Sequence, residues 1–424
     1  MTVLTRVRWL AMLLILIVLT AAGSAYADTP EQGELNQTDQ TDRTPPNLAS
    51  DSAILIDAKT GTVLYARNAE KEQFPASITK IITGIIAIES GLDLDSIVTT
   101  SKEARNEDGT RIYLEEGEQQ TLINLLYGML LNSGNDAATA IAEFVDGSKA
   151  AFAERMNRFV REKAGAAHTH FTNPSGLPDA AQYTTALDMA KISRYAMRND
   201  LFRTIVGTKK MAWDGLTWKT TLINHNELLG NYEGVTGIKN GYTGDSGFTL
   251  VTSAKRDGLE LIGVLLKSPT KSVLYKDMTK LLDYGFRYFD MQQVSTANAA
   301  YPLAGSDEPS FAPKEPLMAV VPRGEKPIIT VSAAGDVLVQ TSLGIETAGR
   351  LQPVSPNLGA IAKLYSEQSE SVERAASKSA GGASEPSMGN KLRIFFVWIG
   401  LLLYLFLFAF VRVKRRRLGR GSSY

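Results

Sequence analysis

The hydrophobic pattern changes period along the chain. In "SAILIDAKTGTVLYARN" two apolar runs flank the turn-forming "DAKTG", which predicts a β-hairpin. The next stretch, "FPASITKIITGIIAIES" from Phe74 to Ser90, carries Ile78, Ile81, Ile82, Ile85, Ile86 and Ile88. Together they point in nearly every direction around a helix, so this helix is expected to be buried on all sides. Pro75 suits its first turn. From about Ala104 to Asp200 the pattern is mainly helical. "TLINLLYGMLLNSGNDAATAIAEFV" reads as two helices interrupted at Asn132–Asn135. "AAFAERMNRFVREKAG" and "TALDMAKISRYAMRN" are amphipathic, the second with Thr184 or Thr185 as its cap. Strands then return. "GFTLVTSAKRDGLELIGVLL" reads as a hairpin turning at Lys255–Gly258, and "YKDMTKLLDYGFRYF" as a closing amphipathic helix.

Strands, a helical middle, strands and a last helix make an α/β (α+β) chain. Its two ends close one antiparallel sheet flanked by helices, with a helical lobe inserted, over residues 48–292. Short apolar runs between Gly/Pro turns ("LMAVVP", "PIITVSA", "DVLVQTS") predict a small β domain over 293–362. Residues 28–47 are polar and are expected to be a disordered linker; 363–391, rich in Ser, Ala, Gly and Glu, read as a flexible tether.

Both ends concern membranes. Residues 1–27 have Arg6 and Arg8, an apolar run from Trp9 to Ala22, and "AYA" ending at Ala27, the pattern of a signal peptide. An uncleaved anchor is the alternative. Near the other end, Ile394 to Val411 is free of charge, about 18 residues and enough to cross a bilayer core. One transmembrane helix is expected over 392–412. The tail 413–424 carries Lys414, Arg415, Arg416, Arg417 and Arg420, which predicts that it stays in the cytoplasm. The expected location is therefore the cell membrane, single-pass, with everything before the span outside.

Lys+Arg and Asp+Glu each number 45, so the formal net charge is zero and nothing favours nucleic acid. The absence of cysteine excludes disulfides, thiol catalysis and cysteine metal sites. The histidines are His168, His170 and His225; the H-x-H pair has no clear third ligand. No metal and no cofactor is expected, and His225, in "INHNELL", reads as a structural histidine.

Three polar motifs interrupt apolar surroundings. Ser77 and Lys80 stand at i and i+3 on one helix face, in "SITK". Ser133–Asn135, "SGN", lies at the break between two helices, and Lys239–Gly241, "KNG", precedes a hydrophobic strand. Singly, each has a plain structural alternative: a helix cap with a snorkelling lysine, a helix-ending turn, and an Asn-Gly hairpin turn. An amide or ester substrate needs a nucleophile, a base and an oxyanion site. Ser77 is the candidate nucleophile and Lys80 the candidate base. Lys80 must be neutral to act, and burial and a neighbouring Lys239 would both lower its pKa. Ser133 can relay a proton to the leaving amine, and Asn135 can hold the substrate amide and orient Lys80.

Together and in this order the motifs resemble the S-x-x-K, S-x-N and K-T-G set of the D-alanyl-D-alanine carboxypeptidases, low-molecular-mass penicillin-binding proteins. "ILIDAKTGTVLYARN", "LLYGMLLNSGNDAA", "FTNPSGLPD", "GIKNGYT" and "KLLDYGFRYF" carry the resemblance, over about residues 48–292. It implies peptidoglycan stem peptides and β-lactams as partners. It also implies an oxyanion hole from the N–H groups of Ser77 and Tyr242, with substrate held by Asn135, Lys239, Asn240, Gly241 and Tyr242. The loop "NPSGLP", Asn173–Pro178, is a candidate wall of the site or, equally, a plain structural loop. The departure is Asn240, where the family motif has threonine; its amide is expected to donate to a substrate carboxylate less well. An arginine that the family often has before the last helix aligns with Leu274, leaving Lys271 or Lys276 to compensate. The competing functions are a β-lactamase-like hydrolase and a catalytically silent wall-binding protein.

Overall fold

The computed structural model describes residues 43–295, 301–302, 309–313, 315–332 and 334–353. The residues expected to form a signal peptide, most of the linker, the tether, a membrane span and a basic tail lie outside the described residues. Among the described residues no helix is long and apolar enough to cross a membrane.

The opening hairpin is β1 (Ser52–Asp57) and β2 (Val63–Arg67). A 3-10 turn, Ala76–Thr79, leads into α1 (Lys80–Ile88). The lobe that follows holds β3 (Ile97–Thr99), α2 (Lys102–Arg105), β4 (Gln119–Thr121), α3 (Leu122–Leu131), α4 (Asn135–Asp146), α5 (Lys149–Glu162), α6 (Ala186–Ala196) and α7 (Asp200–Gly207). Thr185 is the cap of α6, its side chain accepting from the Asp188 N–H. The chain continues as β5 (Lys210–Asp214), β6 (Lys219–Ile223), β7 (Val235–Thr243), β8 (Gly247–Arg256), β9 (Leu259–Ser268) and α8 (Lys271–Tyr288).

The central sheet has the order β2-β1-β9-β8-β7, and every neighbour pair is antiparallel. It is buried on both faces, and the period of two sorts its side chains. Ile54, Ile56, Val251, Ile262 and Val264 join the core of the helical lobe, around α1. Ala53, Leu55, Leu250, Leu261 and Leu265 face Leu274, Met278, Leu281 and Leu282 of α8. Leu274 is 1% exposed in that second layer. It therefore does not sit where a carboxylate-binding arginine would be useful. Lys276 is exposed, and Lys271 is paired with Glu227.

A second difference concerns Lys239–Gly241. Asn240–Gly241 is no hairpin turn; it lies inside β7, paired with Leu250 and Thr249 of β8. The hairpins β3–β4 and β5–β6 are short and were not visible as apolar alternation.

After α8 come β10 (Phe289–Ser295), β11 (Tyr301–Pro302), β12 (Pro309–Ala312), β13 (Leu317–Pro322), β14 (Ile328–Val331), β15 (Asp336–Thr341), β16 (Gly344–Arg350) and β17 (Gln352–Pro353), in three small sheets. This β segment meets the β1–β2 turn through a chain of oxygens. Thr60 Oγ1 lies 2.8 Å from Asp57 Oδ1 and 2.7 Å from Thr62 Oγ1, and Thr62 Oγ1 bonds Glu346 Oε2 of β16. Three contacts share two hydroxyl hydrogens, so one carboxyl must supply the third. Asp57 Oδ2 and Glu346 Oε1 are buried without partners, which also disfavours two anions here.

Burial raises the pKa of both carboxyls; for Glu346 the Asp57 charge adds to it, and for Asp57 hydrogen bonds from Thr60 and the Arg194 charge oppose it. Lys59 in the turn, and Glu260 of β9 in its ion pair with Arg203, are the other charges nearby. A raised folded-state pKa means that the contact is complete below the ordinary carboxyl range and is lost as pH rises through the raised value. Amide exchange at 57–62, corrected for its intrinsic rate, should quicken across that window. Glu346→Gln brings its own hydrogens and should flatten the dependence; a wild type with no such dependence contradicts the shared proton.

Candidate active site

The site begins with backbone turns. Ala76 has a positive φ of 51° and introduces the 3-10 turn that presents Ser77 at the foot of α1. Ser133, in the break between α3 and α4, has φ 65°, a left-handed conformation that non-glycine residues seldom adopt. Such backbone collects at functional sites when the surroundings hold it in place. Gly176 lets the Asn173–Pro178 loop press against the same turn, because a Cβ there would overlap the Ala76 carbonyl. The Asn173 side chain shapes that loop, its Oδ1 accepting from the N–H groups of Ser175, Gly176 and Leu177.

Lys80 is fully buried. Its Nζ lies 3.0 Å from Ser77 Oγ, 2.6 Å from Asn135 Oδ1 and 2.6 Å from the Ser175 carbonyl. The Asn135 amide cannot be flipped, because its Nδ2 donates to the Asp108 carbonyl at 2.6 Å. Lys80 therefore faces two pure acceptors and one hydroxyl. A neutral amine has two hydrogens and one lone pair. The two carbonyls take the hydrogens, and the lone pair is left for the Ser77 hydroxyl. Burial, and then the Lys239 charge, hold Lys80 well below the ordinary lysine range; Asp136 and Glu107 oppose this more weakly. The arrangement can therefore deprotonate a serine.

Lys239 is 2% exposed, and burial pushes it down to about 7. Its Nζ donates to the Asn240 carbonyl at 2.9 Å and to Asn240 Oδ1 at 3.3 Å. Gly241 is needed for contact: a Cβ there would lie 2.6 Å from the Ser77 nitrogen. This close approach brings the β7 backbone against the Ser77 turn. The Tyr242 ring is 59% exposed and lies tilted by 33° against Phe248, with centroids 4.3 Å apart.

The structure thus brings Ser77, Lys80 and Asn135 into direct contact, with Gly241 against Ser77 and Lys239 within electrostatic reach. Ser133 stands two residues before Asn135 in the same break. The sequence left the Asn173–Pro178 loop open between wall and plain turn; its Ser175 carbonyl touches Lys80. His225 was read as structural, yet it shares Lys239's surroundings: burial, then the Lys239 and Lys271 charges, push it down to about 4. Tyr275, in the closing amphipathic helix, reaches this cluster with its hydroxyl.

A mixed α/β fold with an antiparallel sheet, and a serine–lysine pair where the helical lobe meets that sheet, define a penicillin-binding-protein-like serine hydrolase. The chain belongs to the D-alanyl-D-alanine carboxypeptidase family, whose model matches residues 39–270. It is 35% identical over 300 residues to D-alanyl-D-alanine carboxypeptidase DacF of Bacillus subtilis, covering 69% of this chain and 74% of that one. It is 34% identical over 275 residues to a D-alanyl-D-alanine carboxypeptidase of Streptomyces sp. K15, covering 60% of this chain and 93% of the other. The Streptomyces K15 DD-transpeptidase structure superposes with a TM-score of 0.55 at 32% identity, covering 57% of this chain and 99% of that one. Penicillin binding protein 5 from Haemophilus influenzae gives 0.62 at 27% identity, covering 73% and 99%.

Because the Lys239 charge depresses Lys80, Lys239→Met should move the rising limb of the Ser77 acylation rate to higher pH. The probe is an activated ester without a carboxylate, which does not need Lys239 for binding. In Lys80→Arg that limb should vanish, since guanidinium stays charged. An unmoved limb in Lys239→Met would show that another group governs it.

Proposed function

We propose that this chain removes the terminal D-alanine from peptidoglycan stem peptides through an acyl-enzyme on Ser77. Ser77 Oγ attacks the carbonyl of the penultimate D-alanine while its proton passes to Lys80 Nζ. The N–H groups of Ser77 and Tyr242 face the developing oxyanion. The proton returns through Ser133 to the departing amine, the C–N bond breaks, and D-alanine leaves. Water then hydrolyses the ester, giving its proton to the neutral Lys80, which restores it to Ser77. Asn135 holds the substrate amide, and Lys239 attracts the terminal carboxylate. The observation that supports this best is the Lys80 amine, whose lone pair is left facing Ser77 by two carbonyl acceptors. A β-lactam enters by the same step, its ring amide taking the place of the peptide bond.

A second reading concerns the acceptor. The Streptomyces K15 relatives carry both the carboxypeptidase and the DD-transpeptidase name. An acyl-enzyme that meets an amine before water would transfer the peptide to it. Products formed from a D-Ala-D-Ala pentapeptide, with and without an added amine acceptor, separate the two.

With a fluorescent penicillin, intact mass should show one slowly hydrolysed adduct on Ser77, and the pentapeptide should release D-alanine. Ser77→Ala should lose both. An adduct surviving in Ser77→Ala contradicts the assignment, fast drug turnover favours a β-lactamase-like hydrolase, and neither reaction favours a silent wall-binding protein.

For the ends, the reading is a cleaved signal peptide at 1–27 and a small β domain at 293–362 carried on a tether at 363–391. A single span at 392–412 and a cytoplasmic tail at 413–424 hold the catalytic domain on the outer side of the cell membrane. The charge-free run from Ile394 to Val411 and the basic cluster after it support this. A chain ending at Asn390 should be released into the medium; its retention in the membrane fraction would contradict the C-terminal anchor.

A further inference from the structure

The loop of residues 108–114 is fastened to the catalytic break from beneath. Its Thr110 carbonyl accepts the Asn135 N–H at 2.7 Å, and its Asp108 carbonyl accepts Asn135 Nδ2 at 2.6 Å. Asn132 Nδ2 donates to the Arg111 carbonyl at 3.3 Å, and the Asp136 carboxylate accepts the N–H groups of Ile112 and Leu114. Gly109 permits the approach, because a Cβ there would lie 2.8 Å from Asn135 Nδ2. Ile112 and Leu114 are buried, while Arg111 and Tyr113, which alternate with them, are partly exposed. Tyr113 is 51% exposed and has a positive φ of 57°. For a bulky residue that backbone is costly, and such strain collects at functional sites. The Tyr113 ring meets Trp218 edge-on with centroids 5.1 Å apart, and the Arg111 guanidinium lies 5.5 Å from the same ring. Trp218 belongs to the β5–β6 turn. Glu118, 5% exposed, ties that turn to the loop by accepting the N–H groups of Leu216 at 3.1 Å and Glu115 at 3.0 Å.

Arg111 donates to the Arg105 carbonyl at 3.3 Å, which leaves most of its five N–H donors for a ligand. The acids of this region are engaged elsewhere: Glu115 pairs with Arg105, Glu107 with Lys149, and Asp136 with backbone N–H groups. We propose that Arg111, Tyr113 and Trp218 form a subsite for the part of the stem peptide that precedes the D-Ala-D-Ala pair, with Arg111 receiving a carboxylate. This deepens the peptidase reading above and rests on it for polarity. With the terminal carboxylate at Lys239 and the substrate amide at Asn135, the preceding residues leave past Asn135, and the 108–114 loop is what they meet. That part of a stem peptide carries the α-carboxylate of its γ-linked D-glutamyl residue. When the third residue is diaminopimelate, its side chain carries another. A planar guanidinium held over a ring suits either one, and the aliphatic chain between them can lie against the two aromatic rings.

The test compares pentapeptides L-Ala-γ-D-Glu-X-D-Ala-D-Ala in which X is diaminopimelate. One has both upstream carboxylates free, two have one or the other amidated, and one has both amidated. An activated ester without a carboxylate reports whether the acylation machinery is intact. Arg111→Ala should lower kcat/KM for the free peptide, relative to the ester, by between about three- and thirtyfold. The loss should vanish on the doubly amidated peptide, and the two single amides tell which carboxylate Arg111 holds. Arg111→Lys should recover part of it, since the charge remains without the fork. Trp218→Leu should lower kcat/KM for all four pentapeptides relative to the ester. An Arg111→Ala loss that persists on the doubly amidated peptide, or that is equal on the ester, would overturn the proposal by making Arg111 a structural residue of the loop. If the wild type releases no D-alanine from any peptide, the peptidase reading fails by itself. The subsite is then read from how well the free pentapeptide protects Ser77 against penicillin. Arg111→Ala should weaken that protection by a similar factor, and a wild type that is not protected overturns the subsite as well.

Discussion

Everything in this site depends on keeping one amine uncharged inside the protein. Lys80 is fully buried at the foot of a helix lined with isoleucines. An ammonium there would lose its hydration, and no carboxylate bonds it directly; its nearest partners are two carbonyls and a hydroxyl. Burial, and then the Lys239 charge, push Lys80 well below the ordinary lysine range, toward the neutral amine. The same two carbonyls that satisfy the amine's hydrogens fix the direction of its lone pair. Burial thus sets both the protonation state and the orientation, and the reactivity of Ser77 follows from both.

That constraint explains the distances that the chain must span. The Ser175 acceptor comes from the Asn173–Pro178 loop, the Asn135 acceptor from the start of α4, and the depressing charge of Lys239 from β7. None is close to Lys80 in sequence. The sheet holds them because β1 pairs with β9, so the N-terminal hairpin is stitched to the C-terminal strands. Asp277 of α8 reinforces the closure by accepting from the N–H groups of Ala49 and Ser50 and from the Ser50 hydroxyl. Gly241 and Gly176 then allow two backbones to touch the Ser77 turn from opposite segments.

Much of this was legible in the sequence for definite reasons. A helix with isoleucine in every direction had to be central, and Ser77 with Lys80 inside it had to be explained. Period-two runs on both sides of a helical stretch implied a sheet closed from its ends. What escaped was of three kinds. Backbone groups such as the Ser175 and Asp108 carbonyls carry no sequence identity. Asn240–Gly241 gives a turn signal, yet pairing with β8 on one side and contact with Ser77 on the other hold it extended. Tyr275 fits the apolar stripe of α8, and only the fold reveals that its hydroxyl reaches the His225 carbonyl. The alignment of an arginine with Leu274 failed for a related reason: spacing along a helix does not say which layer a residue enters.

The charge state of Lys80 can be observed directly. Carbon-13 at Cε of lysine, assigned through Lys80→Arg and followed by NMR across pH in the uninhibited protein, reports when that amine takes up its proton. The account predicts that Lys80 is neutral at neutral pH and titrates well below the ordinary lysine value of about 10.4. A Lys80 signal that remains that of an ammonium up to the ordinary lysine range would contradict it.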